Sequence, residues 1–231
     1  MSYQRKEVIG NATLYLGDCL QALGMIDAPD AIVTDVPYGE RAVAERVENG
    51  LRRMEFGEWD RTDVAMSFFE LAVHCPSVVA FCSDQQLSYA FSILRGRSGR
   101  TLAWKKTNPT VVNAQYLFQP SLELAVYSKA PAAWFGGRCV PSVWEGPAPA
   151  PSERLHPNQK PEGLMRWCVV NTVAPGAVCL DPFMGSGTTG VACVKEGRAF
   201  VGMEQDERYF ELACRRIEDA QRQGNLFGAA A

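Results

Sequence analysis

The chain has 231 residues, of which 47% are hydrophobic, and its formal net charge is −3 at pH 7. This length supports one sizeable core and is short for two ordinary domains, so we expect one domain with loop insertions. The mildly acidic balance disfavours a repressor or a histone-like protein, but it allows an enzyme that is basic in one cleft.

Apolar stretches along the chain predict alternating strands and helices. Strands are predicted at residues 12–16, 30–34, 77–82, 101–104, 122–127, 177–180 and 199–203. Helices are predicted at residues 19–25, 65–75, 87–94, 163–172, 188–195 and 207–221. Residues 40–61 are polar and predict a mobile loop, whereas residues 131–157 are rich in Pro, Gly and Ala and predict an irregular segment. The alternation predicts an α/β fold with a mostly parallel sheet.

The sequence has neither a long apolar segment nor a metal-ligand pattern, and both absences bear on where the protein is located and what it binds. No run of 18 apolar residues predicts a membrane span, and the first ten residues have no apolar signal-peptide segment, so a cytoplasmic location is expected. The eight cysteines form no Cys-x-x-Cys pair and the only histidines are His74 and His156, so no metal site is expected. Reduced, buried thiols are the expectation for the cysteines.

A glycine-bearing turn follows the strand predicted at residues 177–180, and it reads Asp-Pro-Phe-Met-Gly-Ser-Gly-Thr-Thr from Asp181. Gly185 and Gly187 allow positive φ and close approach of a ligand, although a tight strand–helix turn alone would also explain them. Glu204 ends the next strand about twenty residues further on, where an acidic residue can accept hydrogen bonds from ribose hydroxyls. No Walker lysine follows the glycines, so the pattern favours an adenosine ligand over a nucleoside triphosphate.

A second motif, Asp35-Val36-Pro37-Tyr38, lies at the end of the strand predicted at residues 30–34. An acidic turn with proline has an ordinary structural explanation. An aromatic ring beside a carboxylate, however, also suits an extruded base, which needs a stacking surface and hydrogen-bonding partners.

These motifs resemble those of the amino-methylating DNA methyltransferases, which act on adenine N6 or cytosine N4. Asp-Val-Pro-Tyr matches their Asp-Pro-Pro-Tyr catalytic motif at three of four positions, and Asp-Pro-Phe-x-Gly-x-Gly matches their cofactor motif in full. His156-Pro-Asn-Gln-Lys-Pro matches a third signature, with Asn158 in place of the usual Thr. Gly17-Asp18, Tyr209 and Arg216 also match, so the resemblance runs from about residue 12 to residue 217.

The motif order resembles the permuted, beta-type subgroup, because the catalytic motif precedes the cofactor motif. The resemblance implies a Rossmann-like, seven-stranded methyltransferase sheet with circularly permuted motif order. It also implies a catalytic domain at residues 1–222 and a tail at residues 223–231. A role in restriction–modification is among its implications.

The resemblance implies S-adenosylmethionine as the cofactor. Glu204 is expected to bind the ribose, and Asp18, with Cys19 beside it, to accept from the adenine amino group. Asp181 is expected to approach the cofactor's amino group and Lys160 its carboxylate. The alternative for Lys160 and His156 is a purely structural role in their loop, without contact to the cofactor. The pocket is expected to be lined by Phe183, Gly185, Ser186, Gly187 and Thr188.

Asp35, Val36, Pro37 and Tyr38 are the predicted catalytic residues. The Asp35 carboxylate would accept one amino hydrogen of the base and the Val36 carbonyl the other, while Tyr38 stacks on the extruded ring. Val36 stands where the family usually has proline, so the carbonyl survives while the backbone rigidity of proline is lost. Carbon-5 cytosine methylation is excluded. The enzymes that catalyse it use a cysteine nucleophile that follows a proline, and this chain has no Pro-Cys dipeptide.

Double-stranded DNA is the expected partner, and the resemblance places target recognition in residues 130–155 with help from the loop at residues 40–61. Phosphate contacts are predicted for Arg41, Arg52, Arg53, Lys105 and Lys106. The short recognition segment is compatible with a homodimer. Gln223-Gly-Asn-Leu-Phe227 resembles the pentapeptide by which bacterial proteins bind the DNA sliding clamp, and an amphipathic end folded onto the body is the alternative.

Adenine N6 is favoured over cytosine N4 because an aspartate opens the catalytic motif, where cytosine enzymes more often carry serine. A catalytically silent module that binds S-adenosylmethionine or DNA is the alternative suggested by Val36. RNA or protein amide substrates also stay open, because the same geometry serves any planar amine.

Overall fold

A computed structural model describes residues 3–22, 24, 26–38, 62–95, 97–109, 118–136, 139–156 and 158–228 of the chain. The predicted loop at residues 40–61, which carries Arg41, Arg52 and Arg53, lies outside the described residues.

One sheet of nine strands runs through the described residues, with the order β1-β2-β9-β8-β3-β4-β6-β5-β7. Its strands are β1 Arg5–Ile9, β2 Ala12–Leu16, β3 Ala31–Asp35, β4 Ser77–Cys82, β5 Ser98–Lys106, β6 Leu122–Lys129, β7 Val143–Gly146, β8 Val178–Asp181 and β9 Ala199–Glu204. The helices are α1 Cys19–Ala22, α2 Thr62–Ala72, α3 Asp84–Ile93, α4 Glu162–Thr172, α5 Thr188–Lys195 and α6 Glu207–Gly228. The predicted α/β class is confirmed.

Five neighbouring strands of this sheet, β2, β9, β8, β3 and β4, are parallel to one another. Their carboxyl ends therefore meet at one edge, which brings together Asp35 at the end of β3, Asp181 at the end of β8 and Glu204 at the end of β9. Strand β6 is antiparallel to β4, so its first residues reach this same edge. Ligands of open α/β sheets bind at such an edge.

The seven predicted strands are all present, but the sheet has two more than predicted. Strand β1 is a largely exposed edge strand with the sequence Arg-Lys-Glu-Val-Ile, antiparallel to β2. Strand β7 is only four residues long and lies within the segment predicted to be irregular and target-recognising, where it pairs in parallel with β5. Both are held by backbone hydrogen bonds at a sheet edge, where little apolar alternation marks a strand.

Both faces of the sheet are covered, by two separate apolar clusters. On one face α4, α5 and α6 contribute buried side chains such as Leu164, Val191 and Phe210. On the other face α2 and α3 contribute Phe68 and Ala90 among others. Of the eight cysteines, six are buried, as expected, Cys139 is exposed and Cys214 is half-buried. Among the described residues no helix is long and apolar enough to cross a membrane.

Helix α6 continues past its predicted end. Its buried stripe is Phe210, Ala213, Ile217 and Ala220, and the prediction ended the helix where that stripe ends. The backbone nevertheless stays helical to Gly228, so most of the predicted tail, including residues 223–227, belongs to the helix. Helical backbone can extend beyond its packed face, because hydrogen bonds along the chain do not require a neighbour.

Candidate active site

A cavity of about 640 Å³ lies at the carboxyl edge of the parallel strands. Every residue predicted for catalysis or cofactor binding lines it, with the exception of Gly187. Most of them come from two segments that we name the catalytic loop (residues 35–38, after β3) and the cofactor turn (residues 181–188, after β8), and the others are Asp18, Cys19, Lys160 and Glu204. The parallel strand order is what brings these distant segments of sequence together.

Asp181 organises the cofactor turn. Its Oδ1 accepts hydrogen bonds from Thr34 Oγ1 at 2.6 Å and from the Phe183 amide at 3.1 Å. Its Oδ2 accepts from Thr189 Oγ1 at 2.6 Å. Burial raises the pKa of this carboxyl to about 6, against the effect of these hydrogen bonds. Both oxygens already have partners, so the predicted amino group of the cofactor would have to share them.

The two glycines of the cofactor turn face different neighbours. Gly185 has φ +49°, and a Cβ added there would lie 3.7 Å from the His156 ring, on the cavity side. Gly187 has φ +78°, and a Cβ there would lie 2.9 Å from Ala213 Cβ of α6. Gly187 is not among the residues that line the cavity, and its missing side chain makes room for α6, immediately before α5 begins.

Arg216 of α6 holds the same turn from behind. Its guanidinium donates to the Ser186 carbonyl at 2.5 Å, to Ser186 Oγ at 3.0 Å and to Thr188 Oγ1 at 3.3 Å. Ser186 and Thr188 are both buried. The turn is thus fixed before any ligand arrives.

Glu204 presents a fixed carboxylate to the cavity. Its Oε2 accepts from the Gly185 amide at 3.0 Å, and its Oε1 accepts from the amides of Gln205 and Asp206, each at 2.8 Å. Burial raises the pKa of Glu204 to about 7, although these three amides lower it. Carboxylate oxygens have more than one lone pair each, so ribose hydroxyls could still donate to them.

Asp18 and Cys19 lie at the start of α1. Asp18 Oδ1 accepts from the Leu20 amide at 2.9 Å, which caps this short helix. Cys19 is buried beside it, and burial raises the pKa of its thiol to about 12, so the thiol is neutral at pH 7.

His156 forms part of the cavity wall. Its ring meets the Tyr209 ring edge to face, with 4.4 Å between centroids, and its Nδ1 accepts from the Asn158 amide at 3.2 Å. Burial and the nearby charge of Lys160 lower its pKa to about 4, so the ring is neutral at pH 7. The sequence left the role of His156 open, and the structure places it against Gly185 in the pocket.

The catalytic loop is anchored by backbone contacts rather than by a second proline. The Val36 amide donates to the Phe81 carbonyl at 3.1 Å, and the Val36 side chain is only 2% exposed. Gln86 Nε2 donates to the Pro37 carbonyl at 2.7 Å, while its Oε1 accepts from the Ser83 amide and caps α3. Gln86 carries no motif, so the sequence did not identify it. These contacts supply rigidity at the position where the family's proline is missing.

A cluster of four formal charges lies beside the catalytic loop. Lys160 Nζ is 2.5 Å from Asp35 Oδ2 and 2.9 Å from Glu123 Oε2. Lys106 Nζ is 2.7 Å from Glu123 Oε1. Asp35 Oδ1 is buried and accepts no hydrogen bond from any described residue. Burial raises the pKa of Asp35, while the charge of Lys160 opposes that rise.

Two lysines with predicted roles belong to this cluster. Lys160 was expected to face the cofactor carboxylate and Lys106 the DNA backbone, yet both ammonium groups are paired with protein carboxylates. Glu123 was not predicted at all, because its position in a strand-like stretch carries no local motif. Lys105 is half-exposed and pairs with Glu145 at 3.2 Å on the surface, where a phosphate can compete for it.

The parallel sheet, the glycine turn and the acidic strand end together define a Rossmann-like methyltransferase. Residues 128–215 match a family model described as DNA methylase. The type II methyltransferase M2.DpnII of Streptococcus pneumoniae is 31% identical over 133 residues, which is 51% of this chain and 50% of that protein. The type II methyltransferase M2.MboI of Moraxella bovis is 25% identical over 241 residues, covering 90% of this chain and 88% of that one.

Among solved structures, the complex of M1.HpyAVI with SAM is similar with a TM-score of 0.70 and 25% identity, covering 89% of this chain and 98% of that one. The chain is thus similar to the amino-methylating DNA methyltransferases, the family that acts on adenine N6 or cytosine N4. The cofactor of this family is S-adenosylmethionine.

Proposed function

We propose that this chain transfers a methyl group from S-adenosylmethionine to the N6 amino group of adenine in double-stranded DNA. The observation that carries the proposal is the buried Oδ1 of Asp35, which has no hydrogen-bond partner within the described part of the chain and lies in a cavity that Glu204 and the cofactor turn also line. A buried acceptor without a donor costs about 1–3 kcal/mol, so a substrate that brings an N–H group gains by filling it. The exocyclic amine of a base is such a donor.

The residues present fit the cofactor. Glu204 offers its carboxylate to the ribose hydroxyls, Asp18 also lines the cavity, and Gly185 leaves the space that a side chain would fill. When bound, S-adenosylmethionine would supply a methyl group on a positively charged sulfur. The C–S electron pair would stay with sulfur on transfer, and the accepting amino nitrogen would release one proton to solvent.

The catalytic loop would act on the amine of the base. That nitrogen is a weak nucleophile, because its lone pair is delocalised into the ring. Asp35 Oδ1 accepts one amino hydrogen and the Val36 carbonyl accepts the other, which favours a pyramidal nitrogen with a localised lone pair. The carboxylate also stabilises the positive charge that develops on nitrogen. Tyr38 stacks on the extruded base, which is worth about 1–3 kcal/mol.

The choice of adenine rests on the aspartate at the first position of the catalytic motif. Cytosine N4 is the second candidate, because the matched family covers both bases and the same two acceptors can hold either amine.

Methyl transfer from labelled S-adenosylmethionine to mixed-sequence duplex DNA tests the proposal, with mass spectrometry of the digested nucleosides. We expect N6-methyladenine from the wild type and none from Asp35→Ala. Glu218→Ala, which removes an exposed carboxylate of α6, is the control and should behave as the wild type.

N4-methylcytosine as the product would keep the mechanism and change the base. Measurable cofactor binding without any methylated nucleoside would overturn the proposal in favour of a silent binding module or a substrate other than DNA.

Contacts with DNA and other partners are part of the same proposal. Lys105 and the residues 130–155 that flank β7 would face the duplex, together with Arg41, Arg52 and Arg53. A homodimer would enlarge the short recognition surface, and sedimentation of the free protein tests it. Binding to a sliding clamp through residues 223–227 would require this helical segment to unwind, and a deletion variant that binds the clamp as well as the full chain would contradict it.

A further inference from the structure

The charge cluster beside the catalytic loop contains one residue that no motif assigns, Glu123. It is the second residue of β6, opposite Trp104 of β5 and one position beyond the Leu124–Cys82 pair with β4. Because β6 runs antiparallel to β4, this position lies at the edge where the parallel strands end. The strand order therefore delivers a carboxylate to the site from a part of the chain far from both motifs.

Glu123 contacts the two lysines of the charge cluster and, at a longer distance, the Tyr38 hydroxyl of the catalytic loop. Its Oε2 lies 2.9 Å from Lys160 Nζ and accepts from the Tyr38 hydroxyl at 3.5 Å. Its Oε1 lies 2.7 Å from Lys106 Nζ. Lys160 is only 6% exposed, and its ammonium lies between the carboxylates of Glu123 and Asp35. The ammonium also lies 5.3 Å from the centre of the Tyr38 ring.

We propose that Glu123 is a positioning residue for methyl transfer, which shares the Lys160 ammonium with Asp35 and so preserves the negative field of Asp35 at the reacting amine. This inference rests on the function proposed above. It adds a residue from β6 to the machinery that the two motifs describe.

The electrostatic reason follows from the formal charges. Asp35 and Glu123 balance Lys160 and Lys106, so the cluster is neutral overall. Without the charge of Glu123 the cluster would carry one net positive charge beside a nitrogen that becomes positive during the reaction. Because Lys160 and Asp35 Oδ1 are buried, that repulsion is less screened than it would be at the surface, so it raises the barrier.

Glu123 also changes the titration of Asp35. The groups that face Asp35 come from several elements, and they are Lys160, Glu123, Tyr38, Cys82 and Asp181. Burial raises the pKa of Asp35 most, Lys160 lowers it, and the charge of Glu123 raises it again. The pKa of Glu123 itself is held at about 2: burial would raise it, but the charges of Lys160 and Lys106 outweigh burial. Glu123 is therefore ionised wherever Asp35 titrates, and neutralising it must lower the pKa of Asp35.

The test compares Glu123→Gln with the wild type in a pH series of methyl-transfer rates. We expect kcat to fall about tenfold or more, KM for S-adenosylmethionine to stay unchanged, and the acid limb of the kcat profile to move to lower pH. Glu7→Gln is the matched control, since Glu7 is a strand glutamate paired with a basic residue, Arg5. Glu7 lies in β1, the outermost strand on the side of the sheet away from β6. This variant should leave kcat and the profile as in the wild type.

A second readout needs no turnover. Carbon-13 NMR titration of the Asp35 carboxyl, assigned by comparison with Asp35→Asn, should show a lower pKa in Glu123→Gln than in the wild type. Glu123→Asp keeps the charge but shortens the reach by one methylene. Glu123→Asp should restore the wild-type pKa of Asp35 and part of the wild-type kcat. If Glu123→Gln does not fold, the same two measurements are made on Glu123→Asp.

An unchanged pKa of Asp35 together with wild-type kcat in Glu123→Gln would overturn the inference. A parallel loss of cofactor binding would overturn it as well, because it would show a general structural defect. If the wild type methylates no DNA, the proposed function fails, while the NMR titration still decides whether Glu123 controls Asp35.

Discussion

The cofactor turn and the catalytic loop lie side by side at the same sheet edge, yet they are built in opposite ways. In the cofactor turn, Asp181 has both oxygens bonded and Arg216 holds Ser186 and Thr188 from behind. In the catalytic loop, Asp35 is left with one buried oxygen that no described residue satisfies. The polar groups of Asp181 in the cofactor turn are satisfied by other residues of the protein, whereas Asp35 Oδ1 in the catalytic loop needs a hydrogen-bond donor that the described residues do not supply.

The difference reflects what each segment has to do. A turn that binds the cofactor through its shape gains from being rigid beforehand, because ordering it on binding would cost affinity. A carboxylate that must act on a reacting amine has to keep an acceptor available and to sit in a fixed electrostatic field. Beside the catalytic loop, the charges of Lys160, Glu123 and Lys106 supply that field. In the cofactor turn, by contrast, hydrogen bonds supply rigidity.

The largest effect should come from breaking the cofactor turn with Gly187→Ala. The new methyl group would combine a strained positive φ with a contact of 2.9 Å to Ala213, so we expect a loss of about 2–4 kcal/mol in the free energy of unfolding. Urea denaturation measures this.

Gly176→Ala is the matched control for Gly187→Ala. Gly176 has a similar φ of +75°, but a Cβ added there would meet no atom of a described residue within 4 Å, so only the strain of about 1 kcal/mol should remain. Equal losses in the two variants would show that the packing of the turn against α6 contributes nothing.

A smaller effect should appear in the pH dependence of cofactor affinity. Burial raises the pKa of Glu204 to about 7, so its carboxylate is ionised above that pH and protonated below it. Only the ionised form has all its lone pairs available to ribose hydroxyls. Affinity for S-adenosylmethionine should therefore weaken as pH falls below 7, approaching about tenfold per unit.

Isothermal titration calorimetry between pH 5.5 and pH 8.5 measures this dependence. Glu204→Gln should bind more weakly and show no step near pH 7. The same slope in the wild type and in Glu204→Gln would assign the titration to another group.

The smallest effect concerns Val36→Pro, which restores the family's usual residue in the catalytic loop. Proline would restrict the unfolded chain by about 0.4–1 kcal/mol but would remove the Val36 amide that donates to Phe81, worth about 1 kcal/mol. We expect stability to change by less than about 1 kcal/mol and kcat to stay close to that of the wild type.

Urea denaturation and methylation assays measure the effect of Val36→Pro. Pro37→Ala is the control, because it keeps both backbone hydrogen bonds of the loop. A large gain in kcat would show that the loop is less well ordered than its contacts with Phe81 and Gln86 indicate.

Much of the architecture was predictable because it is encoded locally. The seven predicted strands and six predicted helices are present, since buried strands such as Ser77–Cys82 and amphipathic helices such as Glu207–Gly228 carry their own apolar pattern. The motif residues were predictable for a related reason: parallel strands end at one edge, so residues after β3, β8 and β9 must meet there. The sequence by itself therefore determined the fold class, the edge of the sheet at which the cavity lies and about half of the residues that line it.

What only the tertiary structure decided depends on contacts between distant elements. The edge strands β1 and β7 form because a neighbour offers free backbone groups, and Gly187 is needed because α6 passes behind the turn. Glu123 joins Lys160 and Asp35 only because β6 is inserted antiparallel beside β4. Local patterns record which residues are apolar or turn-forming, but the pairing of charges is fixed by strand order and direction, which no short stretch of sequence contains.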